Sequence, residues 1–413
     1  MAKIQAFRAW RPAPGMEEKI ASPPYDVLNS EEARKMAEGN PYSFLHVIKP
    51  EIDLPENTDL YSDVVYATAR ENFGRMRSEG WLVREEVPSF YLYRQIMNGH
   101  SQIGLVAGAS VREYENDLIK KHEFTRKKKE DDRTRHVGEV NANAGPVFLT
   151  YRASSEIDAL VQDLIRTDPL YDFTAPDGIQ HTVWVVSGED DVRALETQFN
   201  SIPEMYVADG HHRSASAARV GTERRAADPD PTGEKVYDYF LAVMFPHDQL
   251  AIMDYNRVVK DLNGLTPDAF LEKVSEMFHV EPAADRKPSV PNTFGMYLGG
   301  KWYRLIAKPG TFPTDDPVNS LDVAILQNNL LHPILGIGDP RVDERIDFIG
   351  GIRGMDELER RVNAGEAVAF AMVPTRIEQL MAIADAGEVM PPKSTWFEPK
   401  LRSGLIVRSL EDI

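Results

Sequence analysis

The sequence predicts an α/β protein, with mixed, α+β-type sheets, arranged as two or three lobes. Three observations lead there. Apolar residues recur with a period of two in some stretches and of 3.6 in others, so strands and amphipathic helices alternate. At roughly 150 residues per domain, 413 residues exceed what one ordinary core organises. Hydrophobic residues make up 42% of the chain, which is enough to fill more than one core.

Composition removes several classes of function. The chain carries 65 acidic and 47 basic residues, a formal charge of −18, and nonspecific binding to nucleic acid needs a cationic surface. It has no cysteine, which excludes disulfides, thiolate nucleophiles, iron–sulfur clusters and cysteine zinc sites and fits a reducing cytoplasm. The first residues lack the uninterrupted apolar core of a signal peptide, and no apolar run approaches the ~20 residues needed to cross a bilayer. The expectation is a soluble cytoplasmic protein.

Each element follows from local pattern. Asn29, with Glu32 three residues on, reads as a capping box that opens a short helix. Just before it, Pro23 and Pro24 fix an extended loop that holds Tyr25 and Asp26 in place. Leu60, Val64, Ala67 and Met76 mark one face of a helix ended by Gly80, and strands follow near 81–83, 90–94 and 102–111. Residues 145–151 and 181–186 are strands, and 155–166 and 191–199 are helices. Strands at 237–246 and 252–259 precede Thr266-Pro267, a cap residue and first-turn proline opening a helix with Phe270, Leu271, Val274 and Phe278 on its apolar face. Beyond lie strands near 293–298, 302–306, 367–373 and 405–408, with helices near 323–331 and 375–386.

The chemistry concentrates between Glu204 and Arg219. Tyr206, Val207 and Ala208 form a buried strand, Gly210 gives the turn its freedom, and Ser214 to Ala218 are small enough for a closely packed helix. A strand, a glycine turn and a helix in that order present unpaired N–H groups and a positive helix end, to which an anion is the natural guest. Arg213 adds a planar fork for phosphate or carboxylate, and His211 and His212 add donors that titrate near neutrality. Asp209 serves equally as a cap for the N–H of His211 or His212 and as a catalytic carboxylate.

A second candidate region spans residues 120–135, where eight Lys or Arg stand against four Asp or Glu. Read one way it is a solvated helix, with Arg126 and Glu130, Lys127 and Asp131, and Lys128 and Asp132 paired at i,i+4. Read the other way, Lys120, Lys121, His122 and Arg126 approach a polyanion while Glu123 or Glu130 acts as base or metal ligand. No Walker loop, dinucleotide fingerprint or HExxH motif is present, and adjacent histidines diverge by about 100° on a helix, which makes them poor joint ligands for one metal.

Asp209-Gly-His-His-Arg213, followed by Ala215 and Ala217, resembles the phosphate-binding box of the ParB/sulfiredoxin superfamily. The whole chain resembles the bacterial family known as domain of unknown function ten-fifteen. That likeness is carried by Ser22–Val27 with Asn40–His46, by Lys121–Thr125 with Lys129–Arg133, and by Pro391–Lys400. The resemblance implies a ParB/sulfiredoxin-like core over 91–262, an N-terminal segment over 1–90 packing on it, and a C-terminal α+β lobe over 263–413. Sulfiredoxin chemistry is excluded because its cysteine is replaced here by His211 or His212, and the acidic balance opposes a ParB-like role on DNA.

The superfamily's free-serine kinases remain. Likeness to them implies a nucleotide, ATP or ADP with Mg2+, on the Gly210–Arg213 turn and a small hydroxy amino acid, foremost L-serine, as phosphate acceptor. Asp209 or Glu123 would orient or deprotonate the hydroxyl, His211 or His212 would stabilise charge, and Lys121 and Arg126 would join Arg213 on the phosphates. Tyr25, Asp26, His122, Lys393, Ser394 and Thr395 would contact substrate, and Asp209 would meet the metal. A nucleotide-binding regulator without turnover and a hydrolase of a phosphorylated metabolite are the alternatives. Donor, direction of transfer and oligomeric state stay open.

Overall fold

A computed structural model describes residues Ala2–Glu411. Contacts divide the chain into one unit running to Leu250 and resuming at Pro399, and a second formed by Ala251–Glu398. The sequence reading places its divisions after residues 90 and 262. The protein is mixed α/β, as expected.

The first unit is built on a nine-stranded mixed sheet. Its strands are β1 (Ile4–Gln5), β2 (Phe90–Met97), β3 (His100–Ser110), β4 (Ile119–Lys120), β5 (Val147–Tyr151), β6 (Tyr171–Thr174), β7 (Gln180–Val186), β8 (Met205–Asp209) and β9 (Tyr239–Pro246). They lie in the order β4-β8-β5-β9-β3-β2-β7-β6, with β1 added to β3. β8 runs parallel to β4 and β9 parallel to β5, while the other pairs are antiparallel. Strands β3, β5 and β9 are nearly continuous apolar runs because both of their faces are covered. Close approach is built in at Gly104, where a Cβ would lie 2.6 Å from the Val243 side chain.

The helices of this unit include α1 (Ser30–Ala37), α2 (Asp63–Ser78), α3 (Lys127–Val140), α4 (Ser155–Leu164), α5 (Glu189–Phe199) and α6 (His211–Ala227). The capping box at Asn29 and Glu32 is present, with both reciprocal hydrogen bonds formed. Ile157, Leu195, Phe199 and Ala217 pack with Leu92, Leu105, Leu149 and Phe240 in the main core. A separate cluster joins Ile20, Phe44, Val47, Phe73 and Met76 to Val140 and Val407. Truncating the buried Phe73 to alanine there costs about 3–5 kcal/mol.

Two helical expectations need correction. The buried face of α2 is Val65, Tyr66, Ala69, Asn72, Phe73 and Met76, whereas Leu60 and Val64 are exposed. Asn72 disguised the stripe: its amide donates to the carbonyl of His46 at 2.8 Å and to Asp53 at 2.7 Å, so a polar residue occupies a core position. Helix α3 is no fully solvated helix. Asp132, Thr134 and His136 are buried in it, Asp132 accepts from Tyr66 at 2.8 Å, and of the three expected pairs only Lys127–Asp131 forms, at 3.5 Å.

In the second unit six antiparallel strands form one sheet, in the order 278–282, 301–307, 293–298, 368–371, 255–259, 346–350. Thr266 caps the helix Pro267–Met277 by accepting from the N–H of Ala269, and Phe270 and Val274 are buried. Thr375 does not cap the helix that follows. Its hydroxyl donates to the carbonyl of Ser394 at 2.8 Å, and that helix is Ile377–Asp385.

Candidate active site

The strand, glycine turn and helix read from the sequence form as β8, Gly210 and α6. A register irregularity between Val207 and Asp209 breaks the pairing of β8 with β5 at its last residues, a device that re-aims a side chain at a sheet end. Gly210 has φ +94°, a left-handed conformation that side chains disfavour, and a Cβ there would stand 3.1 Å from Nε of Arg213. Helix α6 begins with no side-chain cap, and its first backbone bond runs from the N–H of Ser214 to the carbonyl of Gly210 at 2.9 Å. The N–H groups of the first turn are thereby left to an outside acceptor. A small residue lets α6 pack closely on the turn that precedes β9: a Cβ on Gly221 would lie 2.5 Å from the carbonyl oxygen of Tyr237.

Asp209 is not the cap the sequence suggested. Its Oδ1 accepts from the N–H of Gly210 at 2.8 Å, and its Oδ2 accepts from Nζ of Lys400 at 3.0 Å. Nη2 of Arg213 stands 3.9 Å from the same carboxylate and 3.4 Å from Oδ2 of Asp26, and Nη1 donates to the carbonyl of Pro146. Burial works to raise the pKa of Asp209, but Lys400 and Arg213 outweigh it and hold the carboxyl well below its ordinary range. For Arg213 burial opposes the charge, and Asp26 and Asp209 together raise its pKa above the usual value.

The two histidines part company. His211 is buried, its ring meets that of His122 edge-on at 4.4 Å between centroids, and its Nδ1 lies 4.0 Å from Oε2 of Glu123. Burial pushes its pKa down to about 4, opposed by Asp209 and assisted by Arg213, so the imidazole is neutral at pH 7. His122 is driven down by burial and then by His211. Nε2 of His211 and Nδ1 of His122 are buried without hydrogen-bond partners, two orphans that a bound ligand or water would satisfy. His212 accepts at Nε2 from the N–H of Arg126 at 3.0 Å, and its pKa is lowered chiefly by burial.

Not every expected residue joins this group. Asp209, Gly210, His211, His212, Arg213, His122, Glu123, Arg126, Tyr25 and Asp26 come together at the start of α6 or one contact away. Tyr25 sits on the turn Tyr25–Val27 with the Arg133 guanidinium 4.3 Å over its ring, and burial raises its pKa. Lys121 is turned away, since its ammonium donates to the carbonyl of Tyr114 at 2.9 Å and pairs with Asp117 at 3.2 Å. Lys120 pairs with Glu204 at 2.6 Å. Lys393, Ser394 and Thr395 belong to the second unit. There Lys393 has φ +60°, its carbonyl accepts from Arg257 at 3.0 Å, and Ser394 donates to the carbonyl of Pro391 at 2.6 Å. Sequence reasoning missed Lys400 as a site residue, though it ends a stretch singled out there, because 191 positions separate it from its partner.

A cavity of about 40 Å³ adjoins Arg213 and is also lined by Tyr25, Arg133, His136 and Asn143. That is room for water and not for a nucleoside. The Asp209 carboxylate is committed to an ammonium and an N–H, and no group of three or more His, Asp or Glu among the described residues is arranged to hold a metal. Asp209, expected to meet a metal, is therefore held by Lys400 and the N–H of Gly210 instead. The arrangement is an anion cradle of helix N–H groups and cations, flanked by the imidazoles of His211 and His122 and by the carboxylates of Asp26, Asp209 and Glu123.

Among known proteins, no curated protein matches the chain. It is similar to a solved structure of a free serine kinase mutant in complex with AMP, at 14% identity and a TM-score of 0.38, covering 75% of this chain and 92% of the other. It is also similar to a conserved hypothetical protein from Pyrococcus furiosus, at 12% identity, a TM-score of 0.37 and coverages of 75% and 96%. A third likeness is to SbnI with C-terminal truncation from Staphylococcus aureus, at 12% identity, a TM-score of 0.37 and coverages of 73% and 87%. No helix among the described residues is long and apolar enough to cross a membrane. The family described as Protein of unknown function (DUF1015) matches residues 4–324, and the chain belongs to it.

Proposed function

We propose that the protein is a phosphotransferase that moves a phosphoryl group from ATP or ADP to the hydroxyl of a small hydroxy amino acid, foremost L-serine. The observation that carries this reading is the uncapped start of α6 behind Gly210, with Arg213 and Lys400 beside it and the unpartnered Nε2 of His211 next to it. Phosphoryl transfer asks the protein for position and positive charge around the transferring group, and the cradle offers both. The N–H groups and Arg213 bind the donor's phosphates, and the substrate oxygen attacks the terminal phosphorus as the bond to the leaving phosphate oxygen breaks. Asp209, held ionised between Lys400 and Arg213, is a weak base and positions those cations. Glu123 takes the hydroxyl proton, because its carboxylate is 40% exposed and borders His211. Asp26 and Tyr25 flank the acceptor. The partners in this reading are a nucleotide and a serine-like metabolite in a cytoplasmic setting, with no part for nucleic acid.

The test incubates the full chain with L-serine and ATP or ADP supplied as Mg2+ complexes, and detects O-phosphoserine by mass spectrometry. Product that disappears in Arg213→Ala supports the reading. Tight nucleotide binding with no product from either donor overturns it in favour of a regulator without turnover.

A further inference from the structure

Across β3, β2 and β7 three polar residues, Gln102, Gln95 and His181, stand opposite one another in register, and all three are fully buried. Such a row on a buried sheet face is tolerated only with hydrogen-bond partners. Gln102 donates to Oε1 of Gln95 at 3.1 Å, and Gln95 donates to the carbonyl of Lys400 at 2.9 Å. Tyr93, two residues before Gln95 on β2 and so on the same face, accepts at its hydroxyl from the N–H of Arg402 at 3.4 Å. A guanidinium can only donate, so Nε of Arg402, 3.2 Å from Nε2 of His181, makes that nitrogen an acceptor. The imidazole is thereby neutral, with its proton on Nδ1 facing the Tyr93 hydroxyl at 2.7 Å. Arg402 also pairs with Asp177, in the turn between β6 and β7.

The segment so held, 399–403, carries Lys400 to Asp209 at 3.0 Å. Its far end, Ser403, forms an antiparallel bridge with Ser22 through backbone bonds of 3.0 and 2.9 Å, four residues before the Asp26 that meets Arg213. Both Lys400, which faces Asp209, and the loop that brings Asp26 to Arg213 thus hang on one short segment. A long lysine stem loses rotamer freedom when it is held, and a backbone fixed on both sides of it keeps that cost low. We propose that Tyr93, Gln95 and His181 are positioning residues, which lock 399–403 so that the charges of the cradle are in place before a phosphate arrives. Their consequence for phosphoryl transfer rests on the reading above; the lock on Lys400 does not.

The test combines His181→Leu, which removes the acceptor of Arg402, with Lys400→Met in the full chain. Urea unfolding reads the lock: the fall in midpoint caused by Lys400→Met shrinks by about half or more when residue 181 is already leucine. Titration calorimetry with ADP reads the cradle. There His181→Leu weakens binding about tenfold, Lys400→Met adds little to that loss, and His181→Gln, whose amide oxygen takes the place of Nε2, recovers most of the affinity. If His181→Leu does not fold, Tyr93→Phe, which removes a single hydroxyl, replaces it in both measurements. Additive losses in the urea cycle overturn the lock, whatever ADP does. Equal ADP affinities of wild type and His181→Leu overturn its role in the cradle. A coupled urea cycle in a protein that binds no ADP upholds the lock and overturns the reading of the site as a nucleotide cradle.

Discussion

Replacing Lys400 with methionine removes one charge and leaves most of the side-chain stem. In the wild type the ammonium donates to Asp209 at 3.0 Å, with the two side chains 16% and 29% exposed. A hydrogen bond to a charged group contributes about 1.5–3 kcal/mol, and Arg213 at 3.9 Å remains as partial compensation for the carboxylate. The expected loss of stability at pH 7 is therefore about 2 kcal/mol. Its pH dependence identifies the source. Burial alone would raise the Asp209 pKa, yet Lys400 and Arg213 hold it below the unfolded value near 3.8. The carboxylate's contribution is thus fully present above that value and is lost as pH falls through the folded one. Calorimetric unfolding of wild type and Lys400→Met should differ by a constant amount from pH 5 to 8 and converge below pH 4. A difference under 0.5 kcal/mol at pH 7, or one that persists unchanged at pH 3, would refute the assignment of Lys400 as the counter-ion of Asp209.

Other consequences are as direct. Arg213→Lys should weaken ATP binding by tenfold or more in titration calorimetry, because one ammonium cannot reach Pro146 and Asp26 together as the guanidinium fork does. Gly210→Ala should lower stability by about 1–3 kcal/mol through its positive φ and its crowding of Arg213, seen as a lower urea midpoint. His136 and His211 have pKa values pushed by burial down to about 4, and His181 to about 3. Each is neutral when folded and protonates when unfolded below about pH 6.5, so stability is present above that pH and lost below it. The slope is about 1.4 kcal/mol per pH unit for each histidine near pH 5, and a urea midpoint that stays flat from pH 7 to 5 would contradict it.

The sequence carried the local grammar of this fold well and its long-range pairings poorly. The capping residues Asn29 and Thr266 were legible because a cap and its partner lie three residues apart. So was the turn at Gly210, whose strand, glycine and small-residue helix are contiguous. The face of α2 was misread because Asn72 is buried through bonds to His46 and Asp53, which no periodicity reveals. Lys121 looked like a phosphate ligand by neighbourhood alone, and Tyr114 and Asp117 take it away. Asp26 meets Arg213 across 187 positions and Lys400 meets Asp209 across 191, distances at which spacing says nothing about contact.

The route of the chain through its two units sets an order of events. Ala251 and Glu398, the ends of the second unit, are paired rungs of one antiparallel ladder, so 148 residues leave and return at neighbouring points. During synthesis the sheet, the turn at Gly210 and α6 are all made before that excursion begins, while Lys400 and Arg408 emerge only after it ends. A nascent chain stalled anywhere within the excursion has the turn at Gly210 with Arg213 but without Lys400, the other counter-charge on Asp209. The site acquires its full electrostatic character in the last moments of translation, and a C-terminal truncation only a dozen or so residues long would return it to that unfinished state.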